Sequence, residues 1–408
     1  MFRSYREIFQ TPGTKGFSAA GFIARMPISM MGIGIVTMLS QLRGEYWLAG
    51  AVAATFALAS ALLAPHISRL ADRLGQSRVL LPAAGISVTA AAILLLCTRL
   101  GAPDWTLFLA ALFAGGMPNM AAMVRARWAA ILGGSPKLHT AFSFESVVDE
   151  ICFIVGPIVS VSLSVAVFPE AGPLLSCLFL LTGVVLFTLQ KGTEPKVRPI
   201  DPEEKGSVIK LGSLQALVFT LAAMGVIFGA VDVVTVAFAE EQGNKVAASI
   251  VLSIYAVGSC LAGLVYGTLS LKAPLYRQFL QAVALCMVMM LPLFLVSNLF
   301  SLAIVVFFAG LSVAPTMIVT MGLVEKIVPR SMVTEGMTWA ITGLGIGVAF
   351  GSAAAGWVID GFGSHAGFMV AIVAGVLAML IAGLGYRSLR SAHIRAISRA
   401  EEAAVKHG

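Results

Sequence analysis

Residues 46–98 read YWLAGAVAATFALASALLAPHISRLADRLGQSRVLLPAAGISVTAAAILLLCT. Two apolar runs, 46–70 and 79–98, flank a polar turn that carries Arg69, Asp72, Arg73 and Arg78. A helix of about 20 mostly apolar residues is long enough to cross the hydrocarbon core of a bilayer. The stretch therefore reads as two spanning helices joined by a short charged loop.

The same pattern recurs along the whole chain. Of 408 residues 58% are hydrophobic and 12% charged, against roughly 25% charged in a soluble domain. Mean hydropathy is +0.93, which leaves no room for a large soluble domain. The spans fall at about 16–41, 46–70, 79–98, 105–127, 139–168, 171–190, 213–239, 246–270, 277–296, 298–322, 334–360 and 364–387. The chain reads as an all-α integral membrane protein of twelve helices.

Loop charge sets the orientation, because Lys and Arg concentrate on the cytoplasmic side. With the N-terminus inside, only Arg43, Arg99 and Lys245 of the 27 bases fall in outer loops, and Arg25 falls within a helix. Both termini are then cytoplasmic in a multi-pass protein of the cell membrane, the bacterial inner membrane being the expected one. The net charge of +7 reports this topology and not nucleic-acid binding. Residues 1–15 are polar, and the first apolar run is too long for a cleaved signal. The five cysteines lie inside spans without C-x-x-C spacing, so neither a disulfide framework nor a metal or cofactor site is expected.

Residues 191–212 form the longest internal polar segment, with mixed charge and three prolines. They divide the chain into a six-helix bundle (1–190), a cytoplasmic linker (191–212), a second six-helix bundle (213–387) and a cytoplasmic tail (388–408). The halves match at an offset of 195: Phe113-Ala114-Gly115 with Phe308-Ala309-Gly310, Gly34 with Gly229, and Ser68 with Gly263. Thr140 and Thr334 pair at offset 194. Matches in helices of corresponding number indicate duplication, a mark of secondary transporters.

The loop Ser68-Arg-Leu-Ala-Asp72-Arg73-Leu-Gly75-Gln-Ser-Arg78 resembles the loop signature of the major facilitator superfamily, Gly-x-x-x-Asp-Arg-x-Gly-Arg-Arg/Lys. Asp72, Arg73, Gly75 and Arg78 match, while Ser68 and Gln76 depart. The resemblance implies two pseudo-symmetric six-helix halves and a cytoplasmic gate. In it the aspartate sits near the start of helix eleven and the arginines pair with acids. Gly156-Pro157 in helix five resembles the core of the family's antiporter motif, with Cys152 and Ser160 in place of outer glycines. Ala110-Ala111-Leu112-Phe113 stand where drug/proton exporters carry a helix-four Arg.

Ionisable groups inside spans are costly and mark function. Arg25 in helix one and Asp149 in helix five lie about ten residues from the cytoplasmic end, and the resemblance implies that these two helices are neighbours, so a buried pair between Arg25 and Asp149 or Glu150 is expected, either structural or as a proton or cation site. Glu145 and Asp149 share a helix face, and Glu150 points about 100° away. In the resembled family helices one, four, seven and ten line the cavity, which implies Asp232 in helix seven as a candidate for a cationic substrate or proton, or else an interfacial acid facing outer water, with Asn119, Met30 and Met120 as further cavity candidates. Glu335 reads as a cap or gate at the start of helix eleven. Arg125 and Arg127 read as snorkelling anchors closing helix four, with Arg125 in reach of Glu145. Gly343, Gly347 and Gly351, four residues apart, predict a close helix contact.

The function read from these residues is secondary active transport by alternating access. It is expected to be proton-coupled export of a small amphipathic or drug-like solute, by a monomer in a lipid bilayer. The alternative is proton-coupled uptake of a polar metabolite or siderophore-like compound. An importer of anions needs a base other than Arg25 facing the cavity, and none is found on this reading. An integral membrane enzyme is the remote alternative, because the five histidines are scattered near helix ends and the tail.

Overall fold

Each expected span is helical in the computed structural model, which describes residues 2–44, 46–197, 206–243, 247–269, 271 and 273–407. Of the bases used for the orientation, Arg198, Lys205, Lys245 and Lys272 lie outside the described residues, as do the side chains of Arg399 and Lys406. No strand occurs among the described residues. Ten helical segments there are long and apolar enough to cross a membrane, and Asp104–Ala114 and Ile250–Tyr266 are shorter apolar helices. Leu62, Ile86, Leu96, Phe350 and Leu384 point outward and are exposed. Such a surface suits lipid.

Proline and glycine shape the spans. Helix one runs as Thr14–Arg25 and Pro27–Arg43, broken at Met26, since Pro27 has no N–H for the preceding turn. Helix four is Asp104–Ala114 and then Met120–Leu132, interrupted at Gly115–Asn119. Helix ten is Leu299–Gly310 and Val313–Ile327. Helices two, three, five and six are Tyr46–Leu74, Gln76–Arg99, Lys137–Ala166 and Ala171–Thr188. Helices seven, eight, nine and eleven are Gly212–Glu241, Ala247–Tyr266, Leu275–Met290 and Val333–Phe362. Helix twelve, Ser364–His407, continues without a break through the residues assigned to a tail.

The chain forms two compact units. One takes Phe2–Leu138 and resumes at Val148 into the linker; the other takes His139–Val147 and the chain from within the linker onward. Helix five is thus shared, and its first turns cluster with helix eight. Thr140 Oγ1 donates to Gly267 O at 2.8 Å, and His139 Nε2 lies 2.8 Å from Tyr266 O.

Both units use the same close contacts. A Cβ on Gly115 would lie 2.7 Å from Phe56 O and 2.9 Å from Ser60 N, in helix two. One on Gly310 would strike Tyr255 O and lie 3.2 Å from Ser259 N, in helix eight. Gly34 of helix one abuts Ser160 Oγ of helix five, and Gly229 of helix seven abuts Ser352 Oγ of helix eleven, each at 2.8 Å from an added Cβ. Ser160 Oγ donates to Met30 O at 2.9 Å and Ser352 Oγ to Gly229 O at 3.3 Å. The repeated residues therefore hold repeated packing. In helix eleven Gly343, Gly347 and Gly351 press on the backbone of Val218, Ala222 and Val226 in helix seven.

Candidate functional site

Three side chains of the first unit meet deep in its bundle. Arg25 closes the first segment of helix one, and Gly21, one turn earlier, lets that segment touch Val124 of helix four. Arg25 Nη1 donates to Asp149 Oδ1 at 2.7 Å. Arg125 Nη2 donates to Asp149 Oδ2 at 2.5 Å. The side chains of Arg25 and Arg125 are 2% and 1% exposed, and that of Asp149 is 24% exposed. One carboxylate thus takes a guanidinium on each oxygen, the strong charge-assisted form of hydrogen bond. Burying an ion costs several kcal/mol, and breaking a buried pair from one side costs about 3–5 kcal/mol. Glu145, one turn back on helix five, is fully buried, and Glu150 is half-buried.

Arg125 corrects the sequence reading. It was expected at the end of helix four as a snorkelling anchor with Glu145 in reach, and its short bond goes instead to Asp149. The reason is the break in the helix. Pro118 and Asn119 restart it, and it runs to Leu132, beyond the expected end at 127. Asn119 Oδ1 accepts from Ala122 N at 3.1 Å and caps the new segment. Asn119, Met30 and Met120, expected at a cavity wall, are each less than a tenth exposed. The cap is how Asn119 is used. Asn119→Ala is expected to cost about 1 kcal/mol, read as a lower Tm of the purified protein.

Arg127 is corrected in the same way: it is fully buried, not snorkelling. Its Nε donates to Gln76 Oε1 at 2.9 Å, and its Nη1 donates to Gln190 O at 2.9 Å and Thr193 Oγ1 at 2.8 Å. Its guanidinium lies 3.8 Å from the Phe187 ring centre, a cation–π contact. Gln76, which departs from the loop signature, is thus the partner of a helix-four base.

The charged loop ends helix two at Gly75, whose φ of +95° favours glycine. Helix three then starts under a carboxylate. Glu194, from the first residues of the linker, accepts from Ser77 N at 2.8 Å and Ser77 Oγ at 2.5 Å, where a helix N-terminus favours an anion. Asp72 is half-buried, and Arg73 and Arg78 are exposed. Sequence reasoning missed Glu194, because nothing local links residue 194 to residue 77.

In the second unit Glu335 lies in the first turn of helix eleven, buried, and accepts from Ser207 Oγ. Asp232 lies on helix seven with its side chain exposed. Glu241 repeats the device of Glu194. It accepts from Ser364 N at 3.0 Å and Ser364 Oγ at 2.5 Å, bonds that hold its carboxyl below the usual glutamate range. The carboxylate form is therefore favoured by folding. Its stabilising share is complete above the ordinary glutamate value and is lost as pH falls through the lowered one. Glu241→Gln is expected to remove that part of the acid-side fall in Tm. Among the described residues no cluster of three or more His, Cys, Asp or Glu could hold a metal.

The Major Facilitator Superfamily model matches residues 17–301 and 217–406. No curated protein matches the chain. Among solved structures, a bacterial homologue of the iron transporter ferroportin in the outward-facing state is similar at TM-score 0.73 and 13% identity. It covers 93% of this chain and 99% of that one. The human organic anion transporter MFSD10 (TETRAN) is similar at 0.69 and 14%, over 91% and 100%. The transporter FucP in the outward conformation is similar at 0.68 and 11%, over 92% and 99%. At such identity these likenesses show the fold alone. The family match over nearly the whole length is the stronger finding, and by it the chain belongs to the major facilitator superfamily of membrane transporters.

Proposed function

We propose that this transporter moves a small polar solute by alternating access and couples the movement to protons at Asp149. The observation that carries the reading is the double pairing of Asp149 with Arg25 and Arg125 at 2.7 and 2.5 Å. Protonating that carboxylate removes the charge both guanidiniums bind. One proton thereby loosens helix five from helices one and four together. The loop of Asp72, Arg73, Gly75 and Arg78 is the proposed gate, cytoplasmic if both termini are, and Asp232 a second contact for solute or proton.

Two directions were open from the sequence. Export of an amphipathic solute leans on Gly156-Pro157, where Cys152 and Ser160 interrupt the motif. An importer of anions called for a base other than Arg25 facing the cavity; Arg125, buried against Asp149, is a second base within the bundle and supports uptake of a polar metabolite. The test is transport into proteoliposomes with an imposed pH gradient across a panel of solutes. The expected result is uphill accumulation of a polar solute that a protonophore abolishes. Accumulation indifferent to the protonophore contradicts it.

A further inference from the structure

We infer that the paired ends of helices nine and twelve hold an anionic phospholipid, with its phosphate on Arg277, Arg387 and Arg390 and its acyl chains on the apolar stripes beside them. Helix twelve carries the first part of the case. Val373, Leu377, Leu380 and Leu384 are exposed and recur every three or four residues, so they line one face. The next position on that face is Arg387, also exposed, and exposed Arg390 follows one turn later. With a rise of ~1.5 Å per residue, Leu384 and Arg387 lie about 4.5 Å apart along the axis. The face thus passes from acyl-chain chemistry to phosphate chemistry within one turn.

A second observation is independent of that face. Helix nine makes the same change, read in the opposite chain direction. Its exposed stripe is Arg277, Gln281, Leu285 and Val288. The two helices pack together, and their bases stand at one level. Tyr276 and Tyr386, each next to one of those bases, have ring centres 5.5 Å apart. Tyr276 also meets the His393 ring at 5.5 Å. Tyr386 and His393 are two turns apart on helix twelve, so Tyr276 holds that helix in place beyond Leu384. Arg277 shares a side-chain hydrogen bond with Tyr386. Tyrosines at this level suit the boundary between hydrocarbon and headgroups.

Charge selects the occupant. Arg277, Arg387 and Arg390 form no ion pair among the described residues. Their guanidiniums match phosphate in shape as well as charge. By loop charge this end of both helices is cytoplasmic, where anionic lipid headgroups bind basic sites between spanning helices. A zwitterionic headgroup brings an ammonium that the three bases repel. The apolar stripes add contact with acyl chains, which a free phosphate cannot use.

The test uses the full-length protein in neutral detergent, titrated with phosphatidylglycerol or phosphatidylcholine. Bound lipid is counted by native mass spectrometry. Phosphatidylglycerol is expected to bind at least about tenfold more tightly than phosphatidylcholine, and inorganic phosphate is expected to leave it bound. A variant with Arg277→Gln, Arg387→Gln and Arg390→Gln is expected to bind the two lipids within about twofold of each other. Arg390→Gln alone, at an exposed position outside the tyrosine contacts, is expected to lower the preference by about twofold or more. A control with Lys15→Gln, Lys191→Gln and Lys210→Gln removes three exposed bases elsewhere and is expected to keep the preference. Equal affinity for the two lipids overturns the inference, as does an unchanged preference in the arginine variants. Loss of preference in the control points to general charge attraction and also overturns it. Displacement by inorganic phosphate overturns it in favour of a soluble anion. A lipid-independent dimer that the arginine variant loses gives the face to a second copy of the chain, and overturns it as well.

Discussion

Asp149→Asn is expected to abolish proton-driven solute accumulation while sparing exchange of solute across vesicles without a pH gradient. The side chain keeps its shape and loses its charge and its proton. Arg25 and Arg125 then face a neutral amide in either conformation, so the proton gradient no longer favours one state. With no protonation at residue 149 to bias the two states, uphill accumulation is expected to fall to the background of protein-free vesicles. Exchange needs the gates and the solute site but not net proton movement. The comparison is made on the same vesicles, with uphill uptake and counterflow measured in parallel. Equal loss of both activities indicates a collapsed bundle. Loss of uphill uptake alone is the expected pattern.

Gly347→Ala is expected to be the most damaging single methyl in the second unit. An added Cβ there runs into Ala222 O and lies 2.8 Å from Ala222 C and 3.0 Å from Ala222 Cα, all backbone of helix seven. Backbone cannot rotate away as a side-chain tip can. Helices seven and eleven must separate, which disturbs Gly343 and Gly351 in the same stripe. Overpacking of this kind costs about 1–3 kcal/mol or more. Gly345, two residues away and exposed, has nothing within 4 Å of an added Cβ. Gly345→Ala is expected to be neutral or to gain up to about 1 kcal/mol through helix propensity. Purified yield and Tm of the two variants give the contrast.

The sequence is legible where a property belongs to one segment. Spans follow from their length of apolar residues, and the glycine stripe of helix eleven from its period. The Arg25–Asp149 pairing follows from equal depth, which loop charge and helix length supply, together with the family resemblance that makes helices one and five neighbours. What stayed hidden depends on a break or on a distant partner. Arg125 looked like a helix end because the restart at Pro118-Asn119 was not read as a new N-terminus. Those two residues were the available signal, a breaker followed by a capping residue. Arg127 and Gln76 are partners across 51 positions, and Glu194 and Ser77 across 117. No local pattern carries such pairings. The linker illustrates the limit: its polar composition marks a boundary, while Thr193 and Glu194 are built into the first bundle.

In the proposed mechanism protons enter with the solute at Asp149. The most direct measurement is proton movement driven by solute alone. Proteoliposomes with a trapped pH dye and no initial pH gradient receive an inward gradient of the transported solute, with membrane potential clamped. The account predicts acidification of the lumen in step with solute entry, absent in Asp149→Asn. Solute entry with no change in lumenal pH, or equal acidification by the variant, contradicts it.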